Sequence, residues 1–243
     1  MPMQLSPLIL AETEDWIALN KPAGLLSVPD RLGKEISLKI MLREKYGSSW
    51  VVHRLDRDTS GVILFAKNEA THQLLNQQFE ERQTEKIYIG LVLGTPDQPE
   101  GSVTIPIAAH PAADGRMMTH AKGKPSHTDY RIVEVLQPYT LLECKIHTGR
   151  THQIRVHLQW LGHSIVGDPL YGDGKPIRVS SLRKKFKLSK NVEEERPILS
   201  RLALHAQRLC FTDNKGQRQC VEAPLPKDLS ATIAQLRKSQ RKK

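Results

Sequence analysis

The run Val62-Ile63-Leu64-Phe65-Ala66 is the strongest constraint on how this chain folds. Bounded by Gly61 before it and Lys67-Asn68 after it, it reads as a buried strand with no residue to spare for solvent. Leading into it is His53-Arg54-Leu55-Asp56-Arg57-Asp58-Thr59-Ser60-Gly61, where two acids and two arginines crowd one short segment. A carboxylate set between arginines, on a loop braced by a buried strand, suits an ionised nucleophile or base held beside a phosphate clamp. Asp56 is the candidate. A solvated surface ion network is the competing reading of such a loop, and charge alone does not separate the two.

With 243 residues, 39% of them apolar and 26% charged, the chain has the make-up of a globular enzyme with a good-sized core. No apolar run approaches the length of a bilayer span, and Met1-Pro2-Met3-Gln4-Leu5-Ser6-Pro7 lacks the basic start and apolar stretch of a signal peptide. Cys144, Cys210 and Cys220 form neither an even set nor a Cys-x-x-Cys pair, which argues against a disulfide framework and against a cysteine zinc site. A reducing cytoplasm is the expected location. The net charge of +10 points to a polyanionic partner, because such a surface raises the local concentration of phosphate-bearing molecules. Lys175 to Lys190 holds seven basic residues and no acid, and Lys227 to Lys243 holds six against Asp228 alone. Without a partner, both would be solvated, partly disordered stretches.

Coarse patterning places a strand at Trp16-Ile17-Ala18-Leu19, a helix over Glu35 to Tyr46, and a second helix over Glu69 to Arg82 with Ala70, Leu74, Leu75 and Phe79 at helical spacing. Strands follow at Lys86 to Leu93, Val103-Thr104-Ile105, His127 to Leu136 and Tyr139 to Ile146. His110 to Pro125, rich in Gly, Pro and basic residues, reads as a long exposed loop of the functional or disordered kind. Thr151 to Leu161 reads as a helix stopped by Gly162, with Ile154, Leu158 and Leu161 on one face and His152, Arg155 and Gln159 on another. Strands and helices alternate too irregularly for a doubly wound sheet, so the fold class is α+β with a largely antiparallel sheet.

The segment His53 to Gly61 resembles the catalytic motif of the RluA family of RNA pseudouridine synthases, whose indispensable acid is the Asp of His-Arg-Leu-Asp. Four further blocks resemble that family in its order: Leu19-Asn20-Lys21-Pro22-Ala23-Gly24-Leu25-Leu26-Ser27-Val28-Pro29, Lys86-Ile87-Tyr88, His147 to His157, and Arg201-Leu202-Ala203-Leu204-His205-Ala206. The resemblance implies the pseudouridine synthase fold, a mixed sheet with a central active-site cleft flanked by helices and loops. It implies one catalytic domain over 1–226, with a basic insertion at about 175–199, no N-terminal accessory RNA-binding domain, and a basic tail at 227–243.

The implied reaction breaks the bond from N1 to C1′, turns the uracil and rejoins it through C5, so no cofactor or metal is demanded. By resemblance, Asp56, Tyr88 and Arg155 are catalytic. Asp56 attacks the sugar, attacks the base or takes the C2′ proton, and the sequence leaves all three open. Tyr88 packs on the uracil and assists proton removal from C5, and Arg155 ion-pairs with Asp56. Arg54 supports a nucleotide flipped from its stack, Ile154 and Leu204 wall the uracil pocket, and Arg150, His152 and Gln153 belong to the same substrate-binding motif. His147, His152 and His157, spaced five apart, do not align on one helix face as metal ligands would.

The implied partner is RNA, either large-subunit ribosomal RNA or a tRNA stem-loop or both, with no membrane and no protein partner and a monomeric enzyme. A zinc base deaminase is excluded by the lack of its His-x-Glu and Pro-Cys-x-x-Cys pair. A nucleotide-cofactor enzyme would want a glycine-rich turn between strand and helix, and Gly47 and Gly61 stand alone. The remaining alternative is a non-catalytic basic RNA-binding or ribosome-assembly protein on the same fold.

Overall fold

A computed structural model describes residues 4–30, 32–112, 114–182 and 195–240. In chain order these form β1 (Ile9–Glu12), β2 (Trp16–Lys21), α1 (Leu38–Tyr46), β3 (Trp50–Val51), β4 (Ser60–Ala66), α2 (Glu69–Glu80), β5 (Glu85–Leu93) and β6 (Glu100–Val103). They continue through β7 (Ile107–Ala109), β8 (Met117–Thr119), β9 (Thr128–Leu136), β10 (Tyr139–Ile146), α3 (Gln153–Trp160), α4 (Val179–Leu182), β11 (Leu204–Thr212), β12 (Arg218–Glu222) and α5 (Lys227–Gln240). Backbone contacts group these elements into two compact units. Unit 1 holds Met1–Tyr88, Lys145–Thr148 and His205–Pro224, and unit 2 holds the rest.

Unit 1 is built around β4. Every residue of β4 is buried, which is why its sequence shows no polar alternation. On one edge β2 runs antiparallel to it, from Trp16 opposite Ala66 to Lys21 opposite Gly61. On the other edge β11 pairs in parallel with Ser60 and Gly61, while β3 takes over in antiparallel register at Phe65 and Ala66. Val62, Leu64 and Ala66 project into a core shared with Trp16, Ala18, Leu75, Leu209 and Phe211. Trp16 and Phe211 meet edge to face with centroids 5.1 Å apart, the arrangement that the ring quadrupoles favour. The two helices of this unit carry side-chain caps: Ser37 accepts from the Ile40 N–H and Asn68 from the Thr71 N–H.

Unit 2 contains the antiparallel pair β6–β9, the small hairpin β7–β8, and helices α3, α4 and α5. With β1–β2, β2–β4, β3–β4 and β11–β12 also antiparallel and β4–β11 parallel, the α+β class with a mixed, largely antiparallel sheet holds.

Several local expectations are corrected. His110 to Pro125 is not a plain loop, because Met117–Thr119 folds back as β8 against β7, in register from Ile107 opposite Thr119 to Ala109 opposite Met117. The first strand after Ser102 is centred earlier, on Glu100–Val103. The opening helix starts at Leu38, behind its Ser37 cap, and not at Glu35. Helix α3 does not divide into apolar and polar faces: Gln153, Ile154, Arg155, Val156, His157 and Leu158 are all buried. Its polar residues are compatible with burial because each has partners inside the protein.

The cysteine reading is also corrected in part. Cys210 and Cys220 face each other across β11 and β12 and are joined by a disulfide, with 4.1 Å between their Cα atoms. Strand register, set by the turn at 213–217, brings together two residues whose sequence spacing carries no such signal. Cys144 is free and buried, and burial pushes its thiol up to about 12. Among the described residues no helix is long and apolar enough to cross a membrane. The centre of the basic insertion, including Lys184, Lys185 and Lys187, lies outside the described residues.

Candidate active site

The loop that carries Asp56 is held by backbone-directed bonds at several points. Lys21, fully buried at the end of β2, donates from Nζ to the carbonyls of Leu25 and Arg57, both at 2.7 Å, and of Pro22 at 3.1 Å. The Ser27 hydroxyl donates to the Leu55 carbonyl at 2.8 Å and accepts the Leu55 N–H at 3.1 Å. The Gly24 N–H reaches the Arg57 carbonyl at 2.9 Å, and the Arg57 guanidinium returns a bond to the Gly24 carbonyl. The opening motif at 19–29 is therefore a clamp for the Asp56 loop. The loop closes with a turn in which Thr59 N–H donates to the Asp56 carbonyl at 3.2 Å.

Within this clamp Asp56 is half-buried and Arg54 is exposed. Arg57 points outward to a two-oxygen ion pair with Glu35, at 3.1 and 2.8 Å. His53 faces inward: its Nε2 accepts the Leu64 N–H at 3.0 Å and its ring stacks on Phe79, 4.7 Å between centroids. Burial lowers its pKa to about 3, with the Lys86 charge adding to the effect. Lys86, with its ammonium 5.6 Å from the Phe79 ring centroid, is itself lowered to about 8, by burial first and then by Arg82.

Tyr88 follows Lys86 by two on β5, so the two side chains leave the strand on one side. Burial holds the Tyr88 phenol well above its usual range, and the Asp56 carboxylate raises it further. The pair fits together electrostatically: a carboxylate beside a phenol keeps that phenol protonated. Tyr88 in this state is a flat neutral surface with a hydroxyl.

On the far side of Asp56 in sequence, Ser60 and Gly61 open β4 against the closing motif. The Ser60 hydroxyl lies 3.0 Å from Nδ1 of His205, whose Nε2 is 3.2 Å from the Ala223 carbonyl. A carbonyl only accepts, so Nε2 carries the His205 proton and Nδ1 accepts from Ser60.

The third motif lies in unit 2. Arg155 forms a bidentate pair with Asp168, 2.7 Å from Nε to Oδ2 and 2.8 Å from Nη2 to Oδ1, with both side chains buried. Asp168 also accepts the Leu170 and Tyr171 N–H groups. Removing either partner would strand a buried charge. Gln153 is a brace: its Oε1 accepts the Arg150 N–H, and Nε2 donates to the His127 carbonyl and to the Thr128 hydroxyl. Arg150 is half-buried and donates from Nε to the Pro125 carbonyl at 3.0 Å. His152 precedes α3 in the left-handed region at φ 56° and lies 2.8 Å from the Tyr171 hydroxyl. His157 is fully buried between the Thr128 hydroxyl and the Ile105 carbonyl, and burial lowers its pKa. It is therefore a fold residue. Ile154 and Leu204 are buried, with Leu204 Cδ1 3.7 Å from the point where a side chain on Gly90 would begin.

The structure thus brings His53, Asp56 and Tyr88 together in unit 1, and Arg150, His152, Gln153 and Arg155 onto the start of α3 in unit 2. Asp168 and Tyr171 escaped the sequence reading. Their signal was weak, an Asp and a Tyr in a Gly-rich turn between helices, and only contact with α3 gives them meaning.

Comparison with known proteins agrees in family. The family model described as RNA pseudouridylate synthase matches residues 15–160. Similar proteins include ribosomal large subunit pseudouridine synthase D of Nitrosomonas europaea, 36% identical over 94% of this chain and 65% of its own length. Dual-specificity RNA pseudouridine synthase RluA of Vibrio cholerae is 37% identical over 84% of this chain and 76% of its own. Among solved structures, human RNA pseudouridylate synthase domain containing 1 has a TM-score of 0.67 at 28% identity, covering 93% of this chain and 86% of that one. Human RNA pseudouridylate synthase domain containing 4 has a TM-score of 0.72 over 96% of this chain and 94% of that one, and at 24% identity supports the fold.

Proposed function

The chain belongs to the RluA family of RNA pseudouridine synthases, and from that premise we propose that it isomerises uridine to pseudouridine in structured RNA with Asp56 as its catalytic carboxylate. The observation that carries this reading is the Asp56 loop, fixed through Lys21 and Ser27 and set beside a buried, protonated Tyr88. The reaction is balanced within the substrate. The N1–C1′ bond breaks, the uracil turns, a C5–C1′ bond forms, and the proton that C5 loses is matched by the one that N1 gains. What the protein supplies is a carboxylate near the sugar, where cationic character is stabilised or trapped or a neighbouring proton is removed.

Substrate uridine leaves its stack to reach Asp56, which costs a few kcal/mol and favours a side chain that fills the gap. Arg54, exposed at the loop, takes that place. Tyr88 packs on the uracil, the role that the family resemblance gives it. Arg155, whose Nε and Nη2 engage Asp168, is carried as a catalytic residue by the family resemblance. The RNA is a large-subunit ribosomal or tRNA stem-loop; in support, one relative's name carries the ribosomal large subunit and another's carries dual specificity for RNA.

Tritium release from RNA containing 5-tritiated uridine tests the reading. Asp56→Asn keeps the shape of the side chain and removes its charge, so turnover falls by at least about a thousandfold while RNA affinity stays within about threefold. Turnover near the wild-type rate would refute Asp56 as the catalytic group. Binding of the RNA by the wild type with no tritium release would favour the non-catalytic RNA-binding reading.

A further inference from the structure

Arg82, in unit 1, bears a side chain in the left-handed region, at φ 61°. It follows Glu81, the C-terminal cap of α2, and the helix closes around it. The Glu81 N–H donates to the Gln77 carbonyl at 2.8 Å, and the Gln83 N–H donates to the Gln78 carbonyl at 2.9 Å. Glycine fits this closing position with least strain, because a Cβ in the left-handed region crowds the backbone. A strained residue kept where glycine would serve points to a task for its side chain.

That side chain is exposed, and among the described residues it makes no hydrogen bond and no ion pair. Two acids precede it, yet neither is its partner: Glu81 accepts from the Gln77 and Gln83 amides at 2.8 and 2.7 Å, and Glu80 is exposed. These carboxylates temper the local charge but leave the guanidinium donors unoccupied. Lys86 is near enough for the two cations to repel, and its pKa is lowered by burial first and then by Arg82. It is 8% exposed, with its ammonium over the Phe79 ring and no acid or acceptor among the described residues. Lys86 shares one side of β5 with Tyr88, whose phenol responds to the Asp56 carboxylate. Two cations without acid partners thus lie along the strand that leads to the proposed site.

We propose that Arg82 binds a backbone phosphate of the RNA strand next to the uridine held at Asp56, with Lys86 adding positive field from the buried side. A guanidinium suits this contact because its planar fork of N–H donors meets phosphate oxygens two at a time. The contact positions the strand and reads no base, since every nucleotide carries the same phosphate. This inference rests on the reading of the chain as an enzyme that acts on RNA at the Asp56 loop.

Arg82→Gly separates backbone strain from charge, since glycine relieves the first and removes the second. Binding is measured to an unmodified transcript of large-subunit ribosomal RNA across a series of potassium chloride concentrations. The expected result is binding weaker by about threefold to tenfold at low salt, with a log-log salt slope shallower by about 0.7 to 0.9, the loss of one phosphate contact. The melting temperature stays level or rises by up to about 3 °C, because the left-handed position is easier for glycine. Arg82→Lys keeps the charge and therefore keeps the wild-type slope. Unchanged affinity and slope in Arg82→Gly would overturn the proposal. So would a melt lowered by more than about 2 °C, which would make Arg82 a fold residue, or a slope in Arg82→Lys equal to that of Arg82→Gly. If the wild type binds this transcript without releasing tritium, the enzymatic reading fails while the slopes still decide the role of Arg82. A wild type that does not bind the transcript overturns both.

Discussion

His53 stands three residues before Asp56, the proposed catalytic carboxylate, and serves the fold. Its Nε2 takes the Leu64 N–H, and Phe79 covers its ring. Because the folded protein lowers its pKa to about 3 from 6.5, the neutral ring is favoured in the fold and the unfolded chain binds the proton more readily. This contribution is complete above the unfolded pKa and is lost as pH falls toward the folded one, with a limiting slope of about 1.4 kcal/mol per pH unit. His53→Gln retains an acceptor for Leu64 and has no such titration. Urea unfolding between about pH 4.5 and 6.5 should therefore show wild-type stability falling more steeply on acidification than that of the variant. Parallel curves would mean that His53 is protonated within the fold. Lys86 follows the same logic at the alkaline end: lowered to about 8, it is easier to hold neutral in the fold, and stability rises as pH climbs from there toward its unfolded value.

Among the elements, the start of β4 has the least tolerance. Gly61 has φ 116°, and a Cβ there would lie 2.1 Å from the Ala206 carbonyl oxygen and 2.6 Å from its nitrogen. These are backbone atoms of the paired strand β11, which cannot rotate away. Gly61→Ala must push β4 and β11 apart beside the Ser60–His205 contact, for a cost of about 3 kcal/mol or more. Thermal unfolding should drop by about 6–12 °C for a protein of this size, and a melt within about 2 °C of wild type would contradict the packing described for Gly61. Helix α5 shows the opposite relation between sequence and element. Its composition reads as a charged tail, yet Leu229, Thr232, Ile233 and Leu236 are buried, Arg201 holds Asp228 in a bidentate pair at its start, and Arg237 holds Glu134 near its end. Shortening the chain after Thr232 would remove core side chains as well as charge. The electrostatic role of this segment is therefore better tested by substitution than by truncation.

For the whole molecule, the net charge of +10 makes salt dependence the natural measure of how RNA is held. If the basic insertion meets the RNA backbone, replacing Lys184, Lys185 and Lys187 with Gln weakens binding and reduces the salt slope by about one for each phosphate no longer neutralised, without changing which uridine is modified. An unchanged slope would leave the insertion as solvated charge. The same charges do not specify a sequence, because phosphate contacts position a protein and base contacts select. The relatives share most of this chain's length, though it covers from 65% to 76% of theirs in the two bacterial proteins compared.

Local physics determined the parts of this protein that could be read directly. An apolar run with no alternation meant a buried β4, helical spacing meant α2, and the strand at Tyr139–Ile146 was read at its observed bounds. The charges of 53–58 left a surface ion network and a catalytic loop both open, and it was the family resemblance of His53 to Gly61 that singled out Asp56. Long-range register decided the rest. It set Cys210 opposite Cys220, folded Met117–Thr119 onto Ile107–Ala109, and brought Ala206 so close to Gly61 that only hydrogen fits. It also gave Arg155 a buried carboxylate in Asp168 and gave His152 its Tyr171 hydroxyl. A sequence carries the propensity of each segment and the chemistry of each side chain. Which distant groups meet is settled only when burial and hydrogen bonding are satisfied for the whole chain at once.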